Sequence, residues 1–190
     1  MLKQLLTIGL LSASFSTLAN WQLENNSSKV SFVSVKKDII GEVHHFKSLT
    51  GEIDDKQKLS LEIDLTSVET NIPIRNERMQ NMLFNTKTFP TLTLTANVTK
   101  ELGKLEQGHT AAMKVPATLS LMGIEKEINV DVFAAKTKAN TLLVSSMSPI
   151  IINTADFGLT DGINALQKVA GLPNIAKAVP VTFVLHFTQQ

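Results

Sequence analysis

Alternation of apolar and polar residues recurs from one end of this chain to the other and restricts its fold more than any other feature. Leu59, Leu61, Ile63 and Leu65 are separated by Ser60, Glu62 and Asp64, and Leu92, Leu94, Ala96 and Val98 alternate with Thr and Asn. Val115, Ala117, Leu119 and Leu121 follow the same rule. Ile128, Val130 and Val132 stand against Glu127, Asn129 and Asp131, and Val179, Val181, Phe183, Leu185 and Phe187 share one face of a last run. Further candidates are Lys29–Lys36, Phe46–Asp54 and Leu142–Ile152. Successive strand side chains point to opposite faces, so each run has an apolar and a polar face. That is the pattern of an antiparallel sheet with one wet side.

Turn signals separate the runs at Asp54-Asp55, Gly103, Met122-Gly123 and Ala139-Asn140. The spacing predicts a mainly β protein, a sandwich or an up-and-down barrel, of roughly eight strands. A barrel of that size holds either its own side chains or one small ligand. The Leu, Val, Ile and Ala of the apolar faces suit a packed core and a dry cavity equally.

Two pieces break the rhythm. Arg75–Phe84 is charged and amide-rich, with Met79, Met82 and Leu83 three and four apart, which predicts a helical turn. Phe89-Pro90 then redirects the chain into the next strand. Asp161–Lys177 carries Ile163, Leu166, Val169 and Ala170 at helical spacing, with Gly171-Leu172-Pro173 as the breaker. No linker or repeat interrupts the chain, so residues 20–190 read as one domain.

The first nineteen residues have the form of a cleaved secretory signal. Lys3 is the positive start, Leu5–Leu11 the apolar run, and Thr17-Leu18-Ala19 the cut site. The apolar run is far short of the ~20 residues a membrane span needs. A signal of this form implies an exported mature chain. Cleavage leaves 17 basic and 17 acidic residues, because Lys3 is the only charged residue removed. No basic block remains, which argues against nucleic acid as a partner. Cysteine is absent, which removes disulfides, thiol catalysis and Cys–zinc sites.

Little else points to catalysis. No Gly-x-Ser-x-Gly elbow is present. His44 and His45, being adjacent on a strand, point to opposite faces and form a poor chelate, so they read as a polar rim or loop pair with no metal. His109 and His186 read as surface residues. Asp156-Phe157-Gly158 lacks the other parts of a kinase site; it reads as a strand end with a glycine turn and Phe157 packed over a barrel end. Arg75 and Arg78 lie one helical turn apart. They are either a solvated helix face or a cationic mouth that meets a polar head group while the barrel takes an apolar tail.

Several of these pieces together resemble the YceI-like family. The run Ser67-Val68-Glu69-Thr70-Asn71, then Arg75-Asn76-Glu77-Arg78-Met79, Leu83-Phe84 and Phe89-Pro90 resembles the family's central signature. Lys29-Val30-Ser31-Phe32, the Gly41…Phe46…Gly51 segment, Leu119–Lys126 and Asn153–Gly158 fit in order and spacing. The resemblance implies a lipocalin-like, antiparallel eight-stranded β-barrel with one or two short helices. It implies a periplasmic protein holding a long isoprenoid, such as a polyprenyl phosphate or quinone, and no enzyme. It departs from the family at Asn76 and Arg78, where many members have Asp and His, and at Asn153–Ala155, where an Arg is often found.

On this reading the lining comprises Phe32, Phe46, Leu61, Ile63, Leu94, Leu119, Phe157 and Phe183 from the barrel, with Met79, Met82, Leu83 and Phe84 from the helical turn. Met suits a surface that fits a flexible apolar guest. Arg75 and Arg78 are the candidates for the head group. No catalytic residue, metal or cofactor is expected beyond the lipid itself. Two alternatives stand beside the carrier: an interaction module of a membrane redox or stress-response system with a filled barrel, and a hydrolase on the same barrel. Contact with a membrane protein and dimerisation stay open.

Overall fold

The computed structural model describes residues 20–137 and 140–190. The expected signal peptide and Ala139 of the expected Ala139-Asn140 turn lie outside the described residues. The strands are β1 (Trp21–Leu23), β2 (Lys29–Lys36), β3 (Ile40–Phe46), β4 (Leu49–Ile53), β5 (Lys58–Asp64), β6 (Val68–Glu69), β7 (Thr91–Asn97), β8 (Thr110–Leu121), β9 (Ile124–Lys136), β10 (Thr141–Ser146), β11 (Ile150–Asn153) and β12 (Ala178–Gln189). Three helices accompany them: α1 (Pro73–Arg78), α2 (Thr99–Leu102) and α3 (Thr160–Val169).

Every strand pairing is antiparallel, and β1 closes the ring by pairing both β4 and β12. Four consecutive pairs, β1/β2, β3/β4, β5/β6 and β10/β11, are single strands with a short break. Allowing for these, the wall is an eight-stranded barrel. Three of the breaks lie side by side. Asn25, between β1 and β2, accepts from Leu49 N–H at 2.7 Å and donates to Lys47 C=O at 3.1 Å. Ser67 Oγ accepts from Ser48 N–H at 3.1 Å. Side chains thus take up backbone groups where three neighbouring strands bend together and the ladder is interrupted.

The two halves of the barrel differ. Around Trp21, Ile53, Ala96, Val115, Val130, Leu142 and Phe187 the apolar faces meet in a packed core. Toward β2, β3, β11 and the start of β12 they do not meet, and helices close the space. Pro73 opens α1, where its fixed φ and missing N–H are harmless. The helix runs directly into a π turn over Met79–Leu83, with Phe84 N–H bonded to Met79 C=O at 2.9 Å. Helix α3 packs onto that turn through Gly162. A Cβ there would lie 2.8 Å from Met82 C=O and 2.9 Å from Leu83 Cα. The helix stops before Gly171, which takes the left-handed φ of 62°. Gly158 likewise takes a left-handed φ of 67° and ends the short turn containing Phe157.

Two expectations need correction. Phe46–Asp54 is not one strand: Phe46 ends β3, Lys47-Ser48 is the break, and β4 follows. Leu142–Ile152 is likewise two strands, β10 and β11. Apart from Phe46, β3 lies outside the expected runs: its inward residues are Glu42, His44 and Phe46 and its outward ones include Val43. Polar residues face in and an apolar one faces out, so the alternation reads with the wrong sign. Helix α2, a single turn, is too short to carry a helical period.

Candidate functional site

A cavity of about 380 Å³ occupies the helix-covered half of the barrel. Its walls follow the strand period. Val30, Phe32, Ser34 and Lys36 from β2 line it, as do Leu61 and Ile63 from β5, Leu92 and Leu94 from β7, and Val179, Val181 and Phe183 from β12. Met79, Leu83 and Phe84 close one side, and Ile163, Leu166 and Val169 of α3 another. The volume falls in the range of ordinary small-molecule sites, which are mostly apolar with a few placed polar groups.

One wall is an aromatic ladder. His44 and Phe32 have ring centroids 5.2 Å apart, Phe32 and Phe46 5.4 Å, and Phe46 and Phe84 6.1 Å. All are tilted, as the quadrupoles of such rings prefer. Phe32 faces His44 across the β2–β3 ladder and Val181 across the β12–β2 ladder, and Val181 faces Ile150. Sheet register therefore places one continuous row of side chains across four strands, with His44 at its polar end.

The polar residues of the cavity collect beside that end. Glu42 accepts from Arg75 Nη1 at 2.7 Å and from Lys36 Nζ at 2.8 Å. Arg75 Nη2 donates to Thr70 C=O at 2.7 Å. The hydrogen bond from Lys36, aided by the charge of Arg75, holds the Glu42 carboxyl below its usual range. His44 is 2% exposed, and its Nε2 lies 2.8 Å from Ser34 Oγ. Burial, and then the nearby Arg75 charge, hold its imidazole below the usual value and so favour the neutral ring. Three buried atoms of cavity-lining residues have no hydrogen-bond partner among the described residues: His44 Nδ1, Arg75 Nε and Thr154 Oγ1. A buried polar atom without a partner is costly, and a ligand oxygen would satisfy each of these three.

Of the expected lining, Phe32, Phe46, Leu61, Ile63, Met79, Leu83, Phe84, Leu94, Leu119 and Phe183 line the cavity, and so do Arg75 and Arg78. Met82 and Phe157 do not. Met82 is 37% exposed on the outer side of the π turn, and Phe157 is buried in the short turn after β11, away from the cavity. His44, expected at the rim, is an inward residue of the cavity wall. His186, expected at the surface, is half-buried. Thr154 stands where the family resemblance expects an Arg. Its position was visible in the sequence, whereas the inward aim of His44 was not.

A family model for the YceI-like domain matches residues 21–187. This chain belongs to the YceI-like family. Its fold is close to that of a polyisoprenoid-binding domain from Saccharophagus degradans implicated in plant cell wall breakdown. That domain is 36% identical, with a TM-score of 0.86 over 90% of this chain and 98% of the other. BcnA of Burkholderia cenocepacia, at 20% identity, has a TM-score of 0.65 over 86% of this chain and 98% of its own. The YCEI protein of Campylobacter jejuni, at 21% identity, has a TM-score of 0.56 over 77% and 84%. Both share the YceI-like barrel. No curated protein sequence matched.

Proposed function

We propose that this YceI-like protein is a periplasmic carrier that holds a long apolar lipid, a polyisoprenoid or isoprenoid quinone, in the helix-covered half of its barrel. The observation that carries this reading is a mostly apolar cavity, three of whose lining residues, His44, Arg75 and Thr154, keep a buried polar atom with no partner among the described residues. The tail lies along the aliphatic walls and the aromatic ladder, where burial is worth roughly 25 cal/mol per Å² before ordering costs. The head group presents oxygen acceptors to Arg75, His44 and Thr154, with Arg78 nearby. The 36% identical relative, a polyisoprenoid-binding domain, supports the ligand class, and the signal-like residues 1–19 support the compartment. Function is binding, with no bond made or broken.

The test is native mass spectrometry of the mature protein isolated from the periplasm, followed by solvent extraction and lipid identification. A one-to-one adduct that releases a polyprenyl chain or quinone is the expected result. A clean apo mass, with no uptake of added isoprenoid, overturns the reading.

A further inference from the structure

The cavity has an apolar mouth. Ile72 and Ile74 of the α1 end and Val169 of α3 line the cavity and are also exposed to solvent, Ile74 by 50% and Val169 by 44%. Residues that meet both conditions mark the opening. An opening meant to face water would be ringed by polar side chains, whereas this ring is aliphatic.

The β2–β3 hairpin stands at the same opening. Its Glu42 is bonded to Arg75 of α1, and its Asp38 accepts from Asn174 Nδ2 at 2.7 Å in the segment after α3. Ala176 N–H bonds to Val35 C=O at 2.8 Å, and Lys36 bridges Ile175. The hairpin tip, helix α1 and the end of α3 are thus tied into one rim. At that tip Ile39 is 86% exposed, beside Lys37. Nothing in the cavity needs Ile39, which does not line it.

Charge identifies what the rim meets. Lys36, Arg75 and Arg78 inside the mouth, with Lys37 and Lys168 outside it, outnumber Glu42, Asp38 and Glu77. Exposed aliphatics among cations are the signature of a surface that seats on an anionic bilayer. The apolar side chains enter the acyl boundary and the basic ones meet the phosphates. We infer that the rim formed by the hairpin tip, α1 and the end of α3 docks on an anionic phospholipid membrane, so that cargo passes between bilayer and barrel without crossing water. This rests on the carrier reading for its purpose but not for its observation.

The experiment is flotation of the mature protein with vesicles of phosphatidylcholine alone or with added phosphatidylglycerol. Uptake of geranylgeraniol from dilute solution is measured beside it by native mass spectrometry. The wild type is expected to float with the anionic vesicles and weakly with the neutral ones. Ile39→Asp is expected to lower anionic-vesicle binding by about tenfold or more while uptake from solution is unchanged. Lys37→Glu with Lys168→Glu is expected to remove the preference for phosphatidylglycerol. Absence of vesicle binding alongside normal geranylgeraniol uptake overturns the membrane docking, leaves the carrier standing and points to a protein on this rim. Vesicle binding that Ile39→Asp leaves intact overturns the assignment of this rim. Equal binding to neutral vesicles overturns the anionic partner. Vesicle binding without uptake of any isoprenoid sinks the carrier and not the dock.

Discussion

His44 Nε2 lies 2.8 Å from Ser34 Oγ, and the pair joins adjacent strands inside the cavity. Burial favours the neutral ring, and the direction of this bond depends on the tautomer; in the tautomer where the hydroxyl donates, the ring proton sits on Nδ1, the buried atom with no partner among the described residues. The imidazole is then a donor to a ligand oxygen.

The sign of the resulting pH dependence is fixed. The folded state holds His44 below its ordinary pKa of 6.5. Below that value the unfolded chain takes up a proton that the folded one refuses. Stability should therefore be full above the ordinary histidine value and fall as the pH drops toward the lowered one. Glu42, also held low, adds a second loss at more acid pH, beginning near the ordinary carboxylate value of 4.5. Melting temperature measured from pH 8 to pH 3 should show both limbs. His44→Phe should flatten only the upper one; an unchanged upper limb would mean that another group titrates there.

Met82→Asp and Leu94→Trp form a contrasting pair. Met82 is exposed and outside the cavity, so its substitution should leave isoprenoid uptake intact and change stability by no more than about 0.5 kcal/mol. Leu94 lines the cavity, and a Trp there should fill empty space, keep the fold and exclude the tail. Thermal melts and native mass spectra of both variants read the two effects separately. Loss of uptake in Met82→Asp would contradict the placement of the π turn.

The same turn shows what the sequence could and could not reveal. Period-two alternation made the strands legible, and Leu61, Ile63, Leu94, Leu119 and Phe183 fall inside as that period requires. A helix of 3.6 residues per turn sets Met79, Met82 and Leu83 on one face. A π turn adds a residue to the ring, rotates the following side chains and carries Met82 outward. On β3 the failure has another cause. Polarity stops reporting burial where a cavity requires polar lining, so His44 reads from sequence as part of a polar rim or loop pair although it lines the cavity. The boundary between solid and hollow halves was not legible either, because Leu142 in the core and Leu94 in the cavity wall carry the same side chain.

Gly162→Ala should loosen the cover of the cavity. The added Cβ would meet backbone atoms of the π turn at 2.8 and 2.9 Å, and backbone cannot swing aside as a side-chain tip can. Overpacking of this kind costs about 1–3 kcal/mol. Urea unfolding should show that loss, and a bound isoprenoid should dissociate faster. An unchanged midpoint with unchanged release would show that α3 can shift freely, and that the cover is not rigidly held.

Asn76→Asp tests a position where the sequence departs from the family pattern that it otherwise resembles. The Asn76 side-chain oxygen accepts from Thr70 N–H at 2.9 Å and from Thr70 Oγ1 at 2.6 Å, while its amide donates to Glu69 at 3.0 Å. Asp would keep the first role and lose the second, setting two carboxylates against each other. Glu69 is held down at about 2, first by the Asn76 amide, then by Lys47 and the Asn71 N–H. A carboxyl lowered in the folded state lends stability above its ordinary value of 4.5, and that stability is lost as the pH falls toward about 2. In Asn76→Asp the Glu69 pKa should rise and this contribution should shrink. The variant should melt below the wild type at pH 7, and the gap should close in acid, where both carboxyls are protonated. A melting difference that stays constant from pH 7 to pH 3 would assign the loss to packing around Thr70 and not to the pair of carboxylates.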